Sequence, residues 1–266
     1  MIQKFKILFN RLLIALFKVK IVKENSKLYL DYTDLDLNIK QIQDSQKPII
    51  FDCGAKQGQS VKRFKKLYPN SEIHCFEPVK NSIKKIQENY KNDNSIILNN
   101  CGVGDVNEKK VFNEYEDRIG TSSFREIKKD TAWAINKFKN AEMEPKKYEV
   151  NIITLDKYCS ENNINQINIM KIDVQGYETN VLEGAKNLLK FSKIDLIEME
   201  LHHENLYNFE NSYYELEKYL IPNNYRLFSV GRGGSLLHHT TFKQDIIYIS
   251  DKLYQKNKEK ILKRDY

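Results

Sequence analysis

The sequence predicts an α/β fold, a mostly parallel sheet with helices on both faces. Three observations carry this. Short apolar runs alternate with helical patterns from Ile49 onward. The first two runs each end beside an acid, Asp52 and Glu77, just before a loop. The chain has 266 residues, 41% hydrophobic and 30% charged, which fits a packed core with a well-solvated surface.

The elements follow in order. "IIFDC" reads as a strand and Ser60 to Tyr68 as a helix. "SEIHCF" is a strand, Lys80 to Tyr90 a helix, and "SIILNN" a strand. Further on, "INIMKID" is a strand, Glu178 to Leu189 a helix, "KIDLIEME" a strand, and Tyr213 to Leu220 a helix. "YRLFSV" and "DIIYIS" close the sheet. Right-handed crossovers put the strand C-termini at one edge, where open α/β sheets bind ligands. The stretch from about Asn107 to Val150 is irregular, with "GTSSF", a helical segment around Trp133 and the extended "YEVNIITL". It is expected to be an insertion covering that edge. The chain then divides into a lead-in over 1–44, a main domain over 45–250 with its insertion at about 107–150, and a charged helix over 251–266.

The lead-in opens with six basic residues before its first acid, Glu24. Arg11 interrupts the apolar stretch and no small-residue cleavage site follows, so it suits neither a signal peptide nor a spanning helix. Phe5, Leu8, Leu12, Leu16 and Val19 recur at helical spacing. One reading lays residues 1–24 on an anionic membrane surface as a peripheral contact. The other, preferred here, packs them on the domain or on a second copy in a homodimer.

The net charge of +7 comes from scattered lysines, without an arginine run and interleaved aromatics, so no nucleic-acid partner is expected. Cys53, Cys75, Cys101 and Cys159 form no C-x-x-C pair. They read as reduced core thiols of a cytoplasmic protein, not as zinc ligands or disulfides.

The chemistry begins at the loop after the first strand, D-x-G-x-x-x-G, with Asp52, Gly54, Ala55 and Gly58. Its glycines let a ligand approach the backbone, and the helix that follows offers unpaired N–H groups. The G-x-G-x-x-G spacing of a dinucleotide site is absent. An acid at Asp52 repels a pyrophosphate but suits an ammonium or sulfonium. Glu77, at the end of the second strand, is placed to accept both hydroxyls of a ribose. Its alternative is a helix-start acid, helped by Pro78. Together the motifs read as a pocket for S-adenosylmethionine. Asn99 and Asn100, in "NNCGVGD", either border the adenine or form a polar turn.

In order along the chain, "FDCGAKQGQS", "FEPVKNSIKKIQEN", "NCGVGD", "GTSSF", "ITLDKY", "KIDVQGYETNVLEGAKNLL" and "EMELHHENLY" resemble the FkbM family of methyltransferases. The likeness covers about Ile49 to Ser250, and its most specific part is "KIDVQGYE" followed by "VLEGA". Cys53 stands where valine or isoleucine is commoner, and Lys56 where asparagine is. The resemblance implies a class I methyltransferase (Rossmann-like) sheet of seven strands, the last antiparallel. It also implies methyl transfer from S-adenosylmethionine, usually to an oxygen of a sugar or other small metabolite.

Asp173, ending its strand at the same edge, is the first choice for the reacting centre, as base or acceptor-orienting group; the alternative is a helix-capping acid. Lys171, Gln175 and Glu178 accompany it. Glu200, His202 and His203 reach the same rim, and histidine is a common base near neutral pH. A divalent metal held there by carboxylate and histidine is the less favoured reading. Ser122 and Ser123 of "GTSSF" are expected to close over cofactor and acceptor, a role favoured by family position, or to form a simple turn. His238, after the "GRGG" loop, is expected to meet the substrate along with His239, whereas His74 reads as core. The expected acceptor is a hydroxyl of a sugar or nucleotide sugar in surface-polysaccharide biosynthesis. The alternatives are a lipid-linked or secondary metabolite, or a non-catalytic member that binds the cofactor.

Overall fold

The computed structural model describes residues 34–139, 143–203, 206–208, 212–231 and 243–262, together with Phe9. The amphipathic helix expected before residue 25, Phe9 excepted, and His238 and His239 lie outside the described residues.

Helix α1 (Leu35–Ile42) begins at Asp34, whose side chain accepts from the Leu37 N–H. Next come β1 (Ile49–Cys53), α2 (Gln59–Leu67), β2 (Glu72–Phe76), α3 (Lys80–Asn89) and β3 (Ile96–Asn99). The excursion that follows holds β4 (Gly102–Val103), β5 (Lys109–Glu114), a 3-10 turn at Glu116–Thr121, α4 (Ala132–Lys137) and β6 (Lys146–Ile153). The chain re-enters the main layer through α5 (Leu155–Glu161), β7 (Ile167–Ile172), α6 (Glu178–Glu183), α7 (Lys186–Lys190) and β8 (Ile194–His202). It finishes with α8 (Tyr213–Leu220), β9 (Tyr225–Val230), β10 (Lys243–Ser250) and α9 (Asp251–Leu262).

The main sheet has seven strands in the order β3-β2-β1-β7-β8-β10-β9. Pairings among β3, β2, β1, β7 and β8 are parallel, while β10 is antiparallel to both neighbours. This is the seven-stranded class I architecture, its last strand reversed. The chain starts at the centre, runs out to β3 and returns on the other side of β1. Strand order therefore reverses between β1 and β7, the place where such sheets open a ligand crevice.

Alternation along the strands divides the core in two. Phe51, Met170, Ile197 and Tyr248 face α5 to α8, while Ile50, Ile169, Leu196 and Ile247 face α1, α2, α3 and α9. A third cluster, with Tyr115, Trp133, Phe138 and Tyr207, lies under the excursion. The excursion has its own three-stranded sheet, β4-β6-β5.

Three local expectations are corrected. The single helix over Glu178–Leu189 is two, because the Gly184 carbonyl turns out to accept the Asp156 N–H at 3.0 Å instead of continuing the helical ladder. The extended "YEVNIITL" ends before its last residue, because the Thr154 side chain accepts from the Lys157 N–H and starts α5. Helix α1 stands where only a lead-in was expected. Among the described residues, no helix is long and apolar enough to cross a membrane.

Candidate active site

A cavity of about 960 Å³ opens at the C-terminal edge of β1, β2, β7 and β8, roofed by the excursion. Two backbone approaches shape its floor. Gly54 has φ +89°, and a Cβ added there would overlap the Asp173 carbonyl oxygen. The Asp173 N–H in turn donates to the Cys53 carbonyl at 3.0 Å. Only glycine allows the first loop and the turn after β7 to come this close.

Glu77 stands one residue beyond β2 and lines the cavity. It is 6% exposed. One carboxylate oxygen accepts from the Lys56 N–H at 2.8 Å and the other from the Val79 N–H at 2.9 Å. Burial pushes its pKa up to about 7, against the pull of these two bonds. Each oxygen keeps a further lone pair, so the group can accept two hydroxyls of one ligand. Phe76, Val103, Phe112 and Phe124 form an apolar wall nearby. Pro78 and Gly54 line the cavity too.

The other expected cofactor residues sit elsewhere. Asp52 is fully buried and is not a cavity residue. Alternation turns it toward α2, where it accepts a hydrogen bond from the Ser60 hydroxyl. Burial raises its pKa, opposed by Lys171 and by that bond. Asn100 also misses the cavity. Its amide donates to the Glu77 and Pro78 carbonyls, each at 3.0 Å, and so braces the Glu77 turn from behind. Ala55 is packed in the core, and Gly58 starts α2 at φ +87°.

The reacting end gathers around Asp173. Its two oxygens accept from Gln175 Nε2 at 2.6 Å and Lys171 Nζ at 3.0 Å. Lys171 lies beneath the cavity, not in its lining. Gln175 holds φ +56°, a backbone that non-glycine residues seldom adopt. That turn lets its amide bridge Asp173 and Glu200, the second at 3.1 Å, while its oxygen accepts from the Tyr207 hydroxyl at 3.0 Å. Glu178 shapes the same turn from below, accepting the Val174 and Gly176 N–H groups, each at 3.2 Å.

Glu200 also meets His202 Nε2 at 2.9 Å and pairs with Lys243. Burial works against its charge, but the hydrogen bond with His202 and the charge of Lys243 hold its pKa below the usual carboxylate range. His202 lines the cavity. His203 does not: it turns outward to Gln244 Oε1 at 3.3 Å and stacks near Tyr213. Neighbours on an extended strand face opposite ways.

"GTSSF" divides in the same manner. Ser122 lines the cavity and accepts from the Tyr115 N–H at 3.0 Å. Ser123 is buried, and its hydroxyl donates to the Gln175 carbonyl at 2.7 Å, tying the excursion to the turn after β7. Among the described residues, no three or more of His, Cys, Asp and Glu come together to hold a metal ion.

The sequence reasoning missed several lining residues: Lys56, Arg118, Trp133, Lys137 and Lys243. Lys56 carried a signal, a lysine within the glycine loop. The others belong to no motif and meet only through the fold.

S-adenosylmethionine fits these groups. A buried carboxylate with spare acceptor capacity faces the cavity, and Gly54 of the first loop lines it.

Two curated relatives align with part of the chain. The 2-O-methyltransferase NoeI of Sinorhizobium fredii is 28% identical over 166 residues, which is 60% of this chain and 65% of that protein. Methyltransferase 1 of Beauveria bassiana is 26% identical over 142 residues, 51% of this chain and 57% of that protein. The aligned region therefore spans less than two-thirds of either relative's length. An rRNA methylase of Streptococcus thermophilus of known structure aligns with 86% of this chain and 99% of its own at a TM-score of 0.45 and 9% identity. The model of the methyltransferase FkbM domain matches residues 52–227, well over half of the chain, and the chain belongs to that family.

Proposed function

We propose that the chain is an S-adenosylmethionine-dependent O-methyltransferase whose acceptor is a hydroxyl of a sugar or nucleotide sugar in surface-polysaccharide synthesis. The observation that carries this reading is one cavity with Glu77 at one end and the Asp173–Gln175–Glu200–His202 cluster at the other. Similarity to a relative named as a 2-O-methyltransferase supports the choice of oxygen.

In this reading Glu77 accepts the ribose hydroxyls, and Gly54 and Pro78 border the same ligand. When bound, S-adenosylmethionine supplies a methyl group on a sulfonium, already activated for transfer. The chain's own part is to position, to accept a proton and to exclude water. Holding two reactants in line contributes up to ~7–11 kcal/mol in ideal cases. Asp173 accepts the proton of the acceptor hydroxyl, with His202 as the second candidate. Lys171 and Gln175 fix the Asp173 carboxylate, and Glu200 fixes the His202 ring. Ser122 and the 3-10 turn over Glu116–Thr121 face the acceptor side. The catalytic unit spans residues 45–250, with the excursion as its cover.

The test is transfer from labelled S-adenosylmethionine across a panel of sugars and nucleotide sugars, paired with calorimetry of S-adenosylhomocysteine. Methylated sugar identified by mass spectrometry is the expected result. Tight binding of NAD in place of S-adenosylhomocysteine would sink the reading.

A further inference from the structure

Four cations line one side of the cavity, and they come from four separate stretches of chain: Lys56, Arg118, Lys137 and Lys243. Lys56 projects from the glycine loop, Arg118 from the 3-10 turn, Lys137 from the end of α4, and Lys243 from the start of β10. Their convergence is built. The Arg118 Nε donates to the Lys137 carbonyl at 3.1 Å, which fastens the turn to α4. Lys56 crosses from the floor to the roof, its ammonium lying where a Cβ on Gly120 would stand.

Of the four, Lys243 is paired with Glu200, and the other acids of the cavity have partners outside the group. Glu200 is engaged by His202 and Lys243, Asp173 by Lys171, and Glu77 by two backbone N–H groups. Glu116 pairs with Lys146 at 3.2 Å. Among the described residues, neither Lys56 nor Lys137 forms an ion pair with a carboxylate. Partial burial and then the charges of Arg118, Lys243 and Lys56 lower the Lys137 pKa, so these like charges repel one another across the mouth. Lys56 also holds φ +52°, a conformation that asparagine or glycine tolerates better. Both features cost stability, and both are explained by an anion that sits among the four.

We propose that this rim is a phosphoryl-binding subsite formed by Lys56, Arg118, Lys137 and Lys243, and that the acceptor is a phosphate ester of the sugar-phosphate or nucleoside-diphosphate-sugar class. The inference rests on the methyltransferase reading of the same cavity. A phosphoryl group offers three oxygens, and a pyrophosphate more, which suits one guanidinium fork and three ammonium groups better than the two oxygens of a carboxylate. The cations ring a concave mouth that Trp133 and Leu206 also line, a shape for a small molecule and not for a polynucleotide track.

The test uses the full chain. Inorganic pyrophosphate is titrated calorimetrically into protein with and without saturating S-adenosylhomocysteine. Methyl transfer is measured to a hexose, its 1-phosphate, its nucleoside-diphosphate form and its uronic acid. Wild type should bind pyrophosphate and use the phosphorylated acceptors with a KM at least tenfold below that of the free hexose. Lys137→Ala should weaken pyrophosphate about tenfold and erase the preference while leaving S-adenosylhomocysteine affinity unchanged and the melting temperature at or above that of wild type. Lys56→Asn should weaken pyrophosphate yet raise the melting temperature, since asparagine suits that backbone. Equal use of the free hexose or the uronic acid, or pyrophosphate affinity untouched by both variants, would overturn the subsite. So would a single-stranded RNA oligonucleotide that binds more tightly than pyrophosphate. Failure of S-adenosylhomocysteine to bind would count against the methyltransferase reading alone, because the titration without it still reads the subsite.

Discussion

The sharpest consequence concerns Glu77, whose carboxylate is buried, accepts two N–H groups and has its pKa pushed up to about 7. A folded-state pKa above the unfolded value means that the folded protein holds a proton the unfolded chain has released. The group's cost to stability is absent below about pH 4.5, grows as pH rises, and is complete above about pH 7. The span of roughly 2.5 units corresponds to a cost on the order of 3 kcal/mol. Ribose hydroxyls that donate to this carboxylate favour its charged form, so cofactor binding should release a proton. Wild-type affinity for S-adenosylhomocysteine should then fall about fivefold between pH 7 and pH 6. In Glu77→Gln one acceptor and the charge are lost. A charge-assisted hydrogen bond is worth ~1.5–3 kcal/mol, so about thirtyfold weaker binding is expected at pH 8, with little dependence on pH. Melting curves of the free proteins should diverge as well, the wild type losing stability from pH 5 to pH 8 relative to the variant. Calorimetry in two buffers of different ionisation enthalpy reads the released proton directly. Parallel pH slopes in the two proteins, or affinities within threefold at pH 8, would refute the placement of Glu77 against the ligand.

Asp173→Asn should cut turnover about a hundredfold or more and keep S-adenosylhomocysteine affinity within threefold, as single-turnover kinetics and calorimetry would report. Normal turnover would remove Asp173 from the chemistry, and joint loss of binding and turnover would move it to the cofactor. His202→Ala should lower kcat, because it strips Glu200 of a partner and the cavity of a candidate base, whereas His203→Ala at the outer face should leave kcat unchanged; the reverse pattern would contradict the strand register. Asp52→Ala should lower stability by about 3 kcal/mol, since it leaves the buried Lys171 ammonium short of a counter-charge. Denaturant unfolding checks this, and a stability equal to wild type would show that the charge is dispensable.

The sheet was legible because its strands are apolar runs of the right length, and each strand read from the main layer is found there. The site was legible only where register could be inferred. Asp52 and Glu77 look alike in sequence, each an acid closing an apolar run. They differ by two positions relative to the strand end, one inside it and one beyond it. Asp52 precedes the last residue of β1, so the pleat carries it under the loop to Ser60. Glu77 follows the last residue of β2, escapes the pleat and faces the cavity. His202 and His203, and Ser122 and Ser123, separate for a simpler reason: neighbours on extended backbone face opposite ways. The cationic rim had no local signature. Arg118 and Lys137 sit in a stretch without periodicity, and only long-range contacts bring them to Lys56 and Lys243.

Asp52, expected beside the cofactor and found outside the cavity lining, explains how the floor holds its shape. Register places Asp52, Lys171 and Glu198 side by side on three adjacent strands, facing α2. Arg63 of α2 reaches Glu198 at 2.6 Å and Asp36 at 2.5 Å, so the row continues out to the start of α1. Burial opposes the Lys171 charge, but Asp173, Asp52 and Glu198 outweigh it and hold the ammonium above its usual pKa. Breaking one member of such a group strands a charge in the interior, at ~3–5 kcal/mol. Lys171 is the link that matters for the site: it is fixed by carboxylates on both sides and bonded to Asp173 at its tip. The acid at the cavity is therefore positioned by a cation that the acid of the first loop helps to keep charged. That is a role for Asp52 which needs no contact with any ligand.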